Sequence, residues 1–183
     1  MKPGKVIRTF SAKDGREIVL RTPTWNDIDD LMAMINSLVE ERADILIDEK
    51  VSRDQEVDWL SKALARLEKD EAFYLVAEVK GKVVGNSELG RKTSGHDKHV
   101  GTLGIVIRNG YRDLGLGTEM MKTLIEQARA MNLKLLTLSV YATNEHAHHV
   151  YQSVGFVDVG RIPKKFFKDG QSIDEIVMAK TLE

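Results

Sequence analysis

Seven consecutive residues, Arg112-Asp113-Leu114-Gly115-Leu116-Gly117-Thr118, lie between an apolar run and a helical pattern, and their types suit the binding of an anion. The first amides of a helix have no intrahelical partner and point outward. Gly115 and Gly117 remove Cβ atoms that would hold a phosphate away, and they permit dihedrals that other residues disfavour. The helix dipole adds about 0.3–1 kcal/mol for a bound negative charge. On the glycines alone, the turn reads equally well as an ordinary connection. Neither G-x-x-x-x-G-K-[ST] nor G-x-G-x-x-G occurs, and no Lys follows Gly117, so nucleotide hydrolysis is not implied.

Other reactive types are few. There are no cysteines, which excludes disulfides, thiolate zinc sites and a cysteine nucleophile. His146, His148 and His149 crowd together with His96 far off, and they lack the HExxH spacing of a zinc helix, so no metal is expected. Asn144 precedes Glu145-His146-Ala147 as a good helix N-cap. With 27 Lys+Arg against 28 Asp+Glu and a net charge of -1, no global field draws the chain to nucleic acid or to an anionic membrane. No stretch approaches the ~20 apolar residues of a membrane span, and Met1 to Phe10 is too polar for a signal peptide. A cytoplasmic, soluble protein is expected.

The elements that must hold these residues follow from patterning. Residues 1–15 read as an extended N-terminal segment and 16–22 as a first strand. Thr24-x-x-Asp27 and Ser52-x-x-Gln55 resemble capping boxes opening two helices. Ile28, Leu31, Met32, Ile35, Leu38 and Val39 form the apolar stripe of the first; Val57, Leu60, Leu64 and Leu67 mark the second. Strands at 73–79 and 83–85 flank Lys80-Gly81-Lys82 as a hairpin, and a fourth strand covers 99–108. Met120, Met121, Leu124, Ile125 and Ala128 define a third helix. A strand at 133–140 and a short helix through Ala147, Val150, Tyr151 and Val154 follow. Runs 156–167 and 173–179 close the chain as a hairpin around Lys168-Asp169-Gly170. With no repeat or linker, 183 residues read as one domain, 1–183.

Arg112-x-x-Gly115-x-Gly117 after an apolar strand resembles motif A of the GNAT N-acetyltransferase superfamily. Asn144-x-x-Ala147-x-x-x-Tyr151-x-x-x-Gly155-Phe156 resembles its motif B, at the expected distance. The likeness extends over nearly the whole chain from about Glu17. It implies an α/β fold: a mixed, mostly antiparallel central sheet flanked by about four helices and splayed between its fourth and fifth strands. It also implies an acetyl-CoA-dependent N-acetyltransferase, with acetyl-CoA as cosubstrate. By that resemblance, the backbone of Ile105, Val106 and Ile107 pairs with the pantetheine arm as an added strand would. Amides from Arg112 through Asp113, Leu114, Gly115, Leu116 and Gly117 to Thr118 hold the pyrophosphate, and the thioester lies near Asn144 and Tyr151.

Direct attack on the thioester needs a neutral amine, a polarised carbonyl and a proton for the departing thiolate. A Lys-like amine (pKa about 10.4) needs a base more than an α-amino group (about 7.7–8.0). The resemblance makes Tyr151 the general acid; helical spacing alone makes it a packed aromatic. The family's usual Glu before motif A is missing, since the stretch reads His99-Val100-Gly101-Thr102-Leu103-Gly104. His99, on the parity of Gly101 and Leu103, and Glu88, on the preceding strand, are the candidate bases. Glu40, Glu41, Asp44, Asp48 and Glu49 make the segment at and after the end of the first helix acidic, which suits a cationic amine or solubility. The acceptor stays open among a small molecule, a polyamine and a protein amino group, with a homodimer through a β edge or helix also expected as an option. The alternative is a noncatalytic acyl-CoA-binding sensor or interaction module of the same fold.

Overall fold

Packing begins with a strand that the patterning does not reveal. The computed structural model describes residues 1–92 and 94–182, and in it β1 (Val6–Ser11) pairs antiparallel with β2 (Glu17–Arg21). Residues 1–15, expected to lie extended ahead of the fold, therefore supply an edge strand. No residue of β1 is fully buried, so its hydrophobic alternation is weak. Polar contacts tie it down instead: the Arg8 guanidinium reaches Glu119 at 3.0 Å and Glu126 at 2.9 Å.

Both capping signatures form. Ahead of α1 (Ile28–Glu40), the Asp27 carboxylate accepts the Thr24 N–H at 2.7 Å and the two Nη groups of Arg21 at 2.8 and 2.7 Å. This pairing pushes the Arg21 guanidinium pKa up. Ahead of α2 (Arg53–Glu68), the Ser52 N–H donates to Gln55 Oε1 at 2.8 Å and the Gln55 N–H to Ser52 Oγ at 3.3 Å. The buried stripe of α1 is Ile28, Leu31, Met34, Ile35 and Leu38. Met34 takes the place expected for Met32 and Val39, which stand roughly 75–95° round the helix from the centre of the stripe and are half-buried.

The sheet continues through β3 (Ala72–Val79), β4 (Lys82–Arg91) and β5 (Val100–Ile107). Helix α3 (Leu116–Ala130) then crosses to β6 (Leu135–Tyr141), α4 (Glu145–Ser153) follows, and β7 (Val157–Lys168) and β8 (Gln171–Thr181) form the closing hairpin. Strand order is β1-β2-β3-β4-β5-β6-β8-β7, and the β5–β6 neighbours alone are parallel. These two strands pair at Val100↔Leu135, Gly101↔Leu136 and Thr102↔Thr137, then separate. The expected splay is present, shifted one strand along because β1 precedes it.

Gly101 fixes where the splay starts. A Cβ there would lie 2.8 Å from Leu133 and Leu136 side-chain carbons and 2.9 Å from Leu89, so only glycine lets β5 close against this leucine cluster. The same face of β4 meets α3, since a Cβ on Gly85 would lie 3.2 Å from the Met120 sulfur. Alternation sends Glu88, Gly90, Thr102 and Gly104 to the opposite face, that of α2.

Candidate active site

Beyond Thr102, the β6-facing edge of β5 has no strand partner, while its other edge is paired with β4 from Gly101 to Ile107. The backbone from Leu103 through Ile105, Val106 and Ile107 thus presents a free edge of the kind an extended ligand can join. The glycine turn stands at the open end. Asp113 has φ 63° and Gly115, the N-cap of α3, has φ 84°, both in the left-handed region. Glu119 N–H bonds back to Gly115 O at 3.1 Å, so the amides of Leu116, Gly117 and Thr118 before it have no intrahelical acceptor. A Cβ on Gly117 would meet Ile107 at 3.4 Å and Val150 at 3.8 Å. That position is where β5, α3 and α4 converge.

Helix α4 forms the other wall. Asn144 caps it by accepting the Ala147 N–H at 3.1 Å, as its place before Glu145 predicts. His146 Nδ1 lies 3.3 Å from Asp113, linking α4 to the glycine turn. Tyr151 is 7 % exposed, and burial pushes its hydroxyl pKa up to about 12. That hydroxyl bonds to none of the described residues, and its oxygen, unlike the ring, keeps some exposure, so a ligand can reach it.

The two candidate bases lie on opposite sides of the sheet. Glu88 pairs across β4–β5 with Gly104, where a Cβ would meet nothing within 4 Å, and its Oε1 lies 3.3 Å from the Cβ position of Gly90. It accepts Arg66 Nη1 at 3.0 Å and the Tyr74 hydroxyl at 3.1 Å; burial is the main cause that pushes this tyrosine up to about 12. His99 lies exposed just before β5, at the closed end of the splay, its carbonyl accepting Lys134 N–H at 2.8 Å. Parity puts it with Gly101 on the leucine face. By register Glu88 stands one same-face step past the last paired rung of β5 and β6, on the α2 face, and His99 stands before the first.

The acidic loop after α1 is stapled across the open end of the splay. Arg112 donates to the carbonyl of Ile107 at 3.0 Å and pairs with Glu41. The Tyr141 hydroxyl donates to Ile45 O at 3.2 Å, and the Lys168 ammonium donates to Arg42 O at 2.7 Å and pairs with Asp44. Tyr141 and Phe166 stack with centroids 4.1 Å apart. Sequence reading missed the β1–β2 turn as part of the site. Lys13 N–H donates to Leu114 O at 3.2 Å, and its Cε stands 4.0 Å from the Cβ position of Gly115. Arg16 donates to Gly110 O at 2.9 Å and lies over the Tyr111 ring at 4.5 Å. Only the cationic types at 13 and 16 hinted at this.

Comparison with known proteins decides the family: the model of the acetyltransferase (GNAT) family matches residues 33–156, well over half the chain. The chain belongs to the GNAT family. That membership makes it an acetyl-CoA-dependent N-acetyltransferase. Among curated relatives it is 26 % identical over 151 residues to the L-amino acid N-acyltransferase MnaT of Escherichia coli, covering 81 % of this chain and 84 % of that one. It is 24 % identical over 165 residues to an L-methionine sulfoximine/L-methionine sulfone acetyltransferase of Pseudomonas paraeruginosa, covering 86 % and 90 %. A GNAT acetyltransferase structure from Streptococcus pneumoniae superposes with a TM-score of 0.81 at 26 % identity, over 91 % of this chain and 99 % of that one. The fold is also that of the Salmonella typhimurium protein yncA solved with acetyl-CoA, with a TM-score of 0.79 at 22 % identity over 91 % and 94 %. In this GNAT chain the splay, the uncapped amides of α3 and the Tyr151 hydroxyl lie on the α3 and α4 side. Glu88 lies on the α2 side of the sheet, bound to Arg66 and Tyr74. No described helix is long and apolar enough to cross a membrane.

Proposed function

We propose that the chain transfers the acetyl group of acetyl-CoA directly to the α-amine of an amino-acid-like acceptor. The observation that carries this reading is the free β5 edge beyond Thr102 leading to the helix amides of Leu116, Gly117 and Thr118, which have no partner among the described residues. The pantetheine arm adds to the β5 edge at Ile105 to Ile107, the Arg112 to Thr118 turn holds the diphosphate, and Lys13 adds a cation to it. Asn144 orients α4 by capping its first turn. Relatives named for L-amino acids and L-methionine derivatives support this acceptor class over a polyamine or a protein amino group.

The amine attacks the thioester carbonyl; the C–N bond forms, the C–S bond breaks, and the amine proton finally resides on the thiol. Glu88, held by Arg66 and Tyr74, takes the amine proton directly or through one water. Tyr151 donates to the departing sulfur. Because its pKa near 12 exceeds that of an ordinary thiol, about 8.5, its main contribution is a strong hydrogen bond to sulfur rather than lasting proton loss. A homodimer belongs to the same proposal: β7 ends the sheet and exposes Val157 and Val159, and edge pairing of two copies would continue the ladder. Sedimentation of the purified chain tests that part.

Thiol release from acetyl-CoA in the presence of a panel of amino acids tests the central reading. Tyr151→Phe is expected to lower kcat by roughly 10²–10⁴ with the fold intact. Unchanged kcat in that variant would remove the acid assignment, and loss with Glu88→Gln but not His99→Ala is expected for the base.

A further inference from the structure

We infer that the acceptor's own oxyanion is read at the end of the sheet where α2 and β4 finish, by Arg91 and Lys92 acting with Arg66; this rests on the transfer site proposed above. Two cavities adjoin there, of about 290 and 150 Å³, at the ends of α2 and β4. Both are lined by Arg66, Arg91 and Lys92, and the smaller has Gly90 and Thr102 as its floor.

Their position relative to the reacting groups follows from register. Gly90 pairs with Thr102 and Glu88 with Gly104, and Glu88 Oε1 lies 3.3 Å from the Cβ position of Gly90, so the smaller cavity opens beside the carboxylate that would take the amine proton. Arg66 reaches both: Nη1 donates to Glu88 at 3.0 Å, and Nη2 lies 3.5 Å from the Cβ position of Gly90. Thr102 Oγ1 stands 3.3 Å from Thr137 Oγ1 on the last paired rung before the splay. An α-amino acid, which carries its amine and carboxylate on one carbon, suits this adjacency, with its amine at Glu88 and its carboxylate towards the cations.

Charge sets the sign of what enters. Arg66 is matched by Glu88 and Lys92 by Asp97. Arg91 pairs with no carboxylate among the described residues, the nearby Asp70 carboxylate being held by the N-terminal ammonium: one Nη donates to Asp70 O at 3.0 Å, the other to Met131 O at 3.4 Å, and its buried Nε has no partner among the described residues. Carbonyls fix this guanidinium without neutralising it, and a planar oxyanion is the partner its fork matches. Glu71 is the acidic member of the larger cavity's lining, against three cations. A polyamine would bring its distal ammonium to like charge, so its exclusion follows from the same residues.

The test compares kcat/KM for L-amino acids, L-methionine sulfone included, with their carboxamides, and adds spermidine. The wild-type protein is expected to prefer the acids at least tenfold. Arg91→Gln and the exposed Lys92→Gln should each erode that preference by about tenfold or more, mainly through KM, with acetyl-CoA affinity unchanged. Melting temperatures confirm folding, and Lys92→Gln serves if Arg91→Gln does not fold. Equal use of acids and carboxamides, turnover of spermidine alone, or full preference in both variants would overturn the inference while leaving acetyl transfer standing. Absence of any transfer would instead defeat the function proposed above and this inference with it.

Discussion

A buried carboxylate without a cationic partner makes its presence felt in the pH dependence of stability. Glu56, in the first turn of α2, is 6 % exposed, and burial raises its pKa from an ordinary 4.5 to about 7. The folded chain therefore keeps a proton that the unfolded chain has released between those values, so stability falls as pH rises from about 4.5 to about 7 and stays lower above. Glu56→Gln is expected to stabilise the protein by about 1–3 kcal/mol at pH 8 and to leave it nearly unchanged at pH 4. Thermal melts at the two pH values check this, and a lower melting temperature for the variant at pH 8 would contradict it. The Asn144 cap was legible because it lies within one short helical motif whose spacing local rules decode. The Arg66–Tyr74–Glu88 group was not, since its members come from three elements and meet only through strand register. Parity groups His99 with Gly101, but parity alone does not say which face opens to the splay.

At the scale of elements, both capping boxes, the closing hairpin and the strand–turn–helix around Gly115 could be read from sequence, because each is specified within a few residues. Strand β1 could not, because its hold on the sheet is one-sided and its strongest side-chain ties, from Arg8 to α3, bridge more than a hundred residues. The β1–β2 turn brings Lys13 to the glycine turn, which gives this hairpin a part in cofactor affinity. Lys13→Gln is expected to weaken acetyl-CoA binding about tenfold at low salt, with a smaller deficit at high salt as screening reduces the charge interaction. Calorimetric titration at two salt concentrations reads the effect. An unchanged Kd at low salt would mean that the turn only buttresses Leu114.

For the whole molecule, the sheet is closed at Gly101 and open beyond Thr102, and everything assigned to acetyl transfer depends on that opening remaining available. The α1–α2 loop reaches it from the far side through Glu41 and Asp44, while α3 and α4 border it from the near side. Ordering of motifs along the chain made this architecture readable in outline, whereas the stapling of the loop required the folded arrangement. The most direct measurement is hydrogen exchange of the intact protein titrated with acetyl-CoA. Saturable binding with slowed exchange at the amides of Leu116, Gly117 and Thr118 and along Leu103 to Ile107 is the result this account predicts. Binding that leaves those amides exchanging as in the free protein, or no binding, would contradict it.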